Sequence, residues 1–255
     1  MDFAAFKKEI YKRFGLYLEG YKEPQLKRRI DSLMASLNVQ DYASYLRLLS
    51  QDKGCWHLFI DKVTINVTEF FRNPEIFAQL EKEIIPDLLQ RFKTLKIWSA
   101  ACADGSEPYS VAIILQDIDP RGRHLIEATD IDPDALESAR SGLYPAKALQ
   151  AVSHERLQKY FRPVGDKFQI DERIKKMVRF RLHDLLKDPY GKGYHLILCR
   201  NVMIYFTPDV QRDIYRRFYE SLHPGGVLFI GATETMFYYR ELGYIREAAW
   251  FYRRP

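Results

Sequence analysis

At 255 residues, 47% apolar and 29% charged, the chain is long enough to bury a substantial core as one large domain or a large and a small one. Its net charge of +5 permits an acidic partner without requiring nucleic acid, and no apolar run is long enough to span a bilayer. Three cysteines, Cys55, Cys102 and Cys199, show no metal-ligand spacing. They read as reduced thiols in a cytosolic protein, and the N-terminus has no signal-peptide pattern.

Residues 1 to about 70 read as helices. Phe3, Phe6, Ile10 and Tyr11 recur at helical spacing. A linker from Gly15 to Lys22 precedes Pro24, a good first-turn residue. Leu26, Ile30, Leu33, Met34 and Leu37 then form one apolar stripe, with Lys27, Arg28 and Arg29 mainly off it. That basic face is either a solvated surface beside Asp31 or a docking surface for an acidic protein segment. Asp41 can cap a third helix holding Tyr42, Tyr45, Leu46 and Leu49, and Phe59 to Val63 continue the pattern.

Residues 64 to 73, TINVTEFFRN, interleave Asn66, Thr68 and Arg72 with Val67, Phe70 and Phe71. In a helix Thr68 and Arg72 would share a face. An Arg facing the interior beside two Phe needs an anionic partner. The stretch is an interdomain linker with aromatic anchors, or it lines a pocket. Residues 75 to 92 form an amphipathic helix.

Leu95 to Ala101 is a strand-like run, followed by the small-residue turn Cys102 to Ser106. Pro108 then opens a helix carrying Val111, Ile114 and Leu115. A second strand, Leu125 to Ala128, leads into Asp130. Together these make a βαβ unit, in which an acid at the end of the second strand is placed to hold ribose hydroxyls. There is no G-x-G-x-x-G, and Glu107 occupies the place of a pyrophosphate at the helix start. That argues against a dinucleotide and suits an ammonium or sulfonium ligand such as S-adenosylmethionine (SAM). The alternative is that Glu107 only complements the helix dipole.

Pro133 to Arg140 is a short helix ended by Gly142. Residues 145 to 176 break the alternation and read as an insertion, with a helix at Ser153 to Tyr160 and a charged stretch from Phe168 to Lys176. Met177 to Leu182 and Tyr194 to Cys199 are the third and fourth strands. A helix covers 208 to 222, Pro224-Gly225-Gly226 is a turn, and Val227 to Gly231 is the fifth strand. Tyr244 to Arg246 and Trp250 to Arg253 can close the sheet as an antiparallel hairpin. The strand ends bring Cys102 to Glu107, Asp130, His183-Asp184 and Arg200-Asn201 to one edge, where open α/β sheets bind ligands.

Four patterns, NVTEFFR (66–72), WSAACADGSEPYS (98–110), ATDIDPDALESARSGLY (128–144) and CRNVMIYF (199–206), resemble the chemotaxis receptor glutamate methyltransferases, the CheR family. LHPGGVLFIGATE (222–234) adds to the match, which covers almost the whole chain. Ser106 stands where the family usually has the first of two glutamates, and Asp184 stands where some members have Asn. The resemblance implies a Rossmann-like class I methyltransferase sheet, mostly parallel with a closing antiparallel strand, over residues 73–255. It also implies a helical N-terminal domain and linker over 1–72. By motif position Asn66, Thr68, Arg72, Glu107, Asp130, Asp184, Leu185, Asn201 and Val202 are expected to touch SAM. Arg72 and Tyr205 are expected near the methyl-transfer centre, and Lys27, Arg28 and Arg29 on the face that docks the receptor. The insertion resembles a small β-subdomain that binds a receptor C-terminal pentapeptide in some members, although here it is short.

The implied reaction is methyl esterification of glutamates on chemoreceptor cytoplasmic helices, leaving S-adenosylhomocysteine, in a cytoplasmic protein with no metal and no need to dimerise. A glutamate with a reference pKa of about 4.3 is already ionised at neutral pH, so no general base is required. This fits the lack of a Ser/His/Asp or Cys/His arrangement. The alternatives are a methyltransferase for another substrate and a SAM- or nucleotide-sensing module. The chain lacks the Asp/Asn-Pro-Pro-aromatic loop of enzymes that methylate base amines.

Overall fold

The computed structural model describes residues 1–64 and 68–255. It divides into two compact units, Met1–Asn66 with Ile204–Asp213, and Val67–Met203 with Ile214–Pro255.

The first unit is built on helices α1 (Phe3–Phe14), α2 (Glu23–Ser36), α3 (Tyr42–Gln51) and α4 (Lys53–Thr64). Asp2 caps α1 by accepting from the Ala5 amide, and Asp41 caps α3 by accepting from Ala43 and Ser44. Pro24 lies in the first turn of α2. Phe6, Ile10, Leu26, Ile30, Tyr45, Leu46, Phe59 and Val63 are buried and form its core. The 15–22 stretch is more than a linker. The Lys22 amide donates to Tyr205 O at 2.8 Å, and the Thr207 amide to Gly20 O at 2.9 Å. Tyr21 and Phe206 pair as an antiparallel bridge. This pairing joins segments remote in sequence, so local pattern did not reveal it.

Residues 68–73 are not helical, so Thr68 and Arg72 do not share a helix face. Phe71 (φ 52°) and Asn73 (φ 61°) turn the chain left-handed, which a right-handed helix cannot accommodate. The expected 75–92 helix is present as α5 (Pro74–Gln79) and α6 (Ile85–Phe92), joined by a π turn at Leu80–Ile84. Pro86 follows that turn. Its ring cannot donate a hydrogen bond and crowds the carbonyl four residues back, and a wider turn relieves the clash.

The second unit continues with β1 (Lys96–Ala100), α7 (Ser106–Ile118), β2 (Leu125–Asp130) and α8 (Pro133–Ser141). The insertion follows as β3 (Leu143–Pro145), α9 (His154–Tyr160), β4 (Phe161–Val164), β5 (Lys167–Ile170) and α10 (Glu172–Lys175). Then come β6 (Val178–Leu182), β7 (Tyr194–Cys199), α11 (Pro208–Ser221, of which the residues through Asp213 belong to the first unit), β8 (Leu222–Ile230), β9 (Ile245–Ala248) and β10 (Phe251–Arg253). The main sheet has the order β6-β2-β1-β7-β8-β10-β9. Pairs from β6 to β8 are parallel, and β10 and β9 close the sheet antiparallel. Ile97, Ile126, Ala128, Leu196, Leu198, Val227 and Phe229 are fully buried, together with Val111, Ile114 and Leu115 of α7.

One reading changes. Pro224-Gly225-Gly226 is part of β8 rather than a turn before it, with an irregular register opposite Tyr194 and Leu196. A Cβ at Gly226 would lie 2.8 Å from both His223 O and Tyr194 O, so only glycine lets the strands approach here. The insertion contains an antiparallel sheet, β3-β5-β4, whose strands of three or four residues are too short to show alternation. Among the described residues no helix is long and apolar enough to cross a membrane.

Candidate active site

The chain leaves β1 toward β2 and β6, whereas β7 and β8 lie on the other side of β1. The carboxyl ends of β1 and β7 are therefore a topological switch point, where neighbouring loops diverge and open a crevice. The backbone there is unusual. Ala101 (φ 60°), Ala103 (φ 46°) and Gly105 (φ 85°) alternate in the turn after β1, and Asn201 (φ 60°) follows β7. Such conformations persist only when the surroundings hold them, and they cluster at functional sites. The small side chains after β1 reflect this crowding. A Cβ at Gly105 would lie 2.9 Å from the Ala139 Cβ and 3.1 Å from the Phe180 ring.

Glu107, in the first turn of α7, is buried. Its Oε1 accepts from Ser99 Oγ at 2.8 Å, and its Oε2 faces Arg200 Nη1 at 3.4 Å. Arg200 lies against the Phe77 and Phe229 rings at 5.2 and 4.7 Å. Its Nη2 donates to Arg72 O and Asn73 Oδ1, both at 2.9 Å, while Nε has no partner among the described residues. Burial pushes the Glu107 carboxyl above its ordinary range and Arg200 below its own, and each group opposes the other's shift. Desolvation dominates on both sides, so the pair organises the site more than it stabilises the fold. The buried Arg between aromatic rings is thus Arg200, with Glu107 as its anion.

Asp130 ends β2. Its Oδ2 accepts from the Ala103 amide at 2.8 Å and its Oδ1 from the Asp132 amide at 3.0 Å. Burial raises its carboxyl to about 6, against those amides. Each oxygen keeps accepting capacity, which suits a vicinal diol. This acceptor pair fits the ribose of SAM. Trp98 Nε1 donates to Thr129 Oγ1 at 2.9 Å, and its ring packs on His183, Tyr190 and Phe218.

After β6, the Asp184 Oδ1 accepts from the Leu186 amide at 2.8 Å. Arg217 of α11 donates to Leu185 O at 2.7 Å and to Asp188 O, and lies 3.8 Å over the Tyr190 ring. This guanidinium holds the loop carrying Asp184 and Leu185. Beyond β7, Glu234 accepts from the Gly231 amide at 2.6 Å, Asn201 at 3.1 Å and Met203 at 2.9 Å. One buried carboxylate therefore pins the segment carrying Asn201 and Val202.

The turn bearing Thr68 and Arg72 is tied in from several directions. The Phe70 amide donates to Ala148 O at 3.0 Å, and the Phe71 amide to Ser110 Oγ at 2.9 Å. Ser110 Oγ donates in turn to Ser106 O at 2.7 Å. Asn66 lies outside the described residues.

Tyr205 belongs to the helical unit. There the Arg29 guanidinium sits 4.6 Å over the Tyr205 ring and donates to Val63 O at 3.3 Å. Lys27 pairs with Asp31 at 2.6 Å, and Arg28 is exposed. The three basic residues therefore have different settings.

Glu234, Ser110 and Arg217 were not singled out from sequence, and Arg200 was placed at the sheet edge without a role. Glu234 carried a faint signal, a charge in the loop that follows the apolar strand ending at Ile230. The other two depend on contacts remote in the chain.

The family model for the all-alpha domain of CheR methyltransferases matches residues 1–64, and that for their SAM binding domain matches residues 66–251. The chain belongs to the CheR methyltransferase family. A chemotaxis protein methyltransferase from Listeria monocytogenes is 40% identical over 92% of this chain and 90% of its own. Those of Salmonella typhimurium and Borreliella burgdorferi are 36% and 34% identical, over 89% and 95% of this chain and 81% and 91% of theirs. The chain is thus a SAM-dependent methyltransferase with a Rossmann-like sheet and an all-alpha N-terminal domain, as expected from its motifs.

Proposed function

We propose that this CheR-family enzyme transfers methyl groups to glutamate carboxylates on the cytoplasmic helices of chemoreceptors, adjusting receptor signalling in chemotaxis. The observation that carries the reading is the pairing of a SAM-binding unit with the all-alpha domain, in relatives named as chemotaxis methyltransferases along most of their length. When bound, SAM supplies a sulfonium methyl, becoming S-adenosylhomocysteine as the glutamate becomes a methyl ester.

In this reading Asp130 holds the ribose hydroxyls, and the loop of Asp184 and Leu185 lines the adenine side. Thr68, Asn201 and Val202 complete the wall, and Asn66 is assigned to SAM by its motif position alone. Glu107 keeps the ammonium end electrically favourable while Arg200 holds it in place. Arg72 binds a carboxylate, and Tyr205 orients the incoming glutamate without protonating it. The glutamate is already ionised, so the chain's task is alignment and exclusion of water rather than proton removal. Arg28 and Lys27 on α2 offer positive charge to the acidic methylation helices. The site lies in the cytoplasm, where those helices are, and acts without metal.

The test is transfer of labelled methyl from SAM to a receptor cytoplasmic fragment, followed by mild base. Label released as methanol, and lost when the fragment's glutamates become alanine, supports the reading. SAM binding without transfer to receptors overturns it in favour of another substrate or a sensing role.

A further inference from the structure

The inserted subdomain meets the 70–73 turn through the Ala148 carbonyl, which accepts from the Phe70 amide, and through one arginine. Arg156 of α9 directs Nη1 and Nη2 to the two carboxylate oxygens of Glu81 at 3.1 and 2.5 Å, and Nε to Asp117 Oδ2 at 2.9 Å. A guanidinium held by two carboxylates has a fixed plane. Its face covers the Phe71 ring, 5.0 Å from the centroid. Burial alone would raise Asp117, but Lys159, Tyr160 and Arg156 together hold its carboxyl below the usual range, so the clamp stays ionised.

Phe71 is the least expected residue at which to find a left-handed conformation. A bulky side chain at φ 52° is a true outlier. The turn keeps that shape because its surroundings over-determine it. Ser110 holds its amide, Phe77 meets one edge of the ring at 5.7 Å, and Arg156 covers the face. Arg72 follows immediately, and its carbonyl and the Asn73 side chain receive Arg200. A change in this turn therefore reaches both Arg72 and the Glu107–Arg200 pair.

We propose that Arg156 is a positioning residue: by clamping Phe71 it holds the 70–73 turn in its left-handed shape, making the inserted subdomain part of the SAM site. The part concerning Arg72 rests on its proposed contact with SAM. Arg156 touches neither substrate. It acts by keeping the binding-competent form of the turn populated, and affinity falls in proportion to that population.

The experiment is calorimetric titration of the full chain with SAM, with thermal midpoints measured in parallel. Arg156→Lys keeps the charge but loses the planar fork. It is expected to weaken SAM binding about tenfold, and Glu81→Gln, a gentler loosening of the same clamp, severalfold. Lys159→Ala shares Asp117 but does not touch Phe71, and should bind SAM as the unaltered chain does. Unchanged SAM affinity in Arg156→Lys, whatever its midpoint, overturns the proposal. So does equal weakening in Lys159→Ala. If Arg72→Ala alone binds SAM normally, the cofactor role of Arg72 fails. Weakening by Arg156→Lys then still supports the brace, acting through Arg200.

Discussion

The sheet edge and the basic helix α2 are both rich in charge, and they use it differently. At the sheet edge Glu107 and Arg200 are buried and committed to each other, and their neighbours adopt left-handed backbone. On α2, Arg28 is exposed and Lys27 is paired with a neighbour one helical turn away. Buried charge is costly to leave unpaired and therefore builds a site. Exposed charge is weakly worth its partners and remains available for recognition. Arg29 lies between these extremes, since its position on α2 suggests docking while its contacts are with Tyr205 and Val63.

The largest expected effect comes from breaking the buried pair. Arg200→Ala should cost about 3–5 kcal/mol of stability, because it strands Glu107 in a dry site. Urea unfolding measures this, and a loss below about 1 kcal/mol would mean that water already reaches the pair. Next is Asp130→Ala, which removes charge-assisted acceptors and should weaken SAM binding about ten- to a hundredfold, read by titration.

Asp130 also gives a pH test. Its carboxyl titrates near 6 in the folded chain, above the ordinary aspartate value. The ionised form is the better acceptor, so SAM affinity should fall as pH drops through about 6, and Asp130→Asn should flatten that profile. Stability runs the other way. The folded state holds the proton more tightly, so this group's contribution is present in acid and is lost as pH rises from about 4 toward 6. A smaller effect is expected from Arg217→Met, which frees the Leu185 carbonyl and should weaken SAM severalfold while leaving the receptor KM unchanged. The smallest belongs to Arg28→Ala. Stability should change by no more than about 0.5 kcal/mol. Receptor KM should rise by about fivefold at most, with a shallower dependence on salt. If SAM affinity moved instead, the contrast between the two regions would fail.

Much of the fold was legible because its signals are local. YHLILC could be read as a central strand, since every residue on it but His195 is apolar, and β7 spans those residues. Asp41 was legible as a cap because capping involves residues two and three positions away. The shape of the 68–73 turn was not legible, because a left-handed Phe71 is held by Ser110 and other remote contacts and leaves no mark in local periodicity. The 15–22 linker was misread for the same reason.

The sequence by itself determined the βαβ order, the acid at the end of β2 and the family motifs, all of which are carried by neighbouring residues and their spacing. Tertiary structure alone decided that Glu107 meets Arg200, that Glu234 gathers three amides, that Arg29 faces Tyr205 and that Arg156 covers Phe71. Each of these depends on which strands and helices become neighbours. That is settled by packing of the whole core and the cost of unpaired buried charge, not by any short stretch of chain.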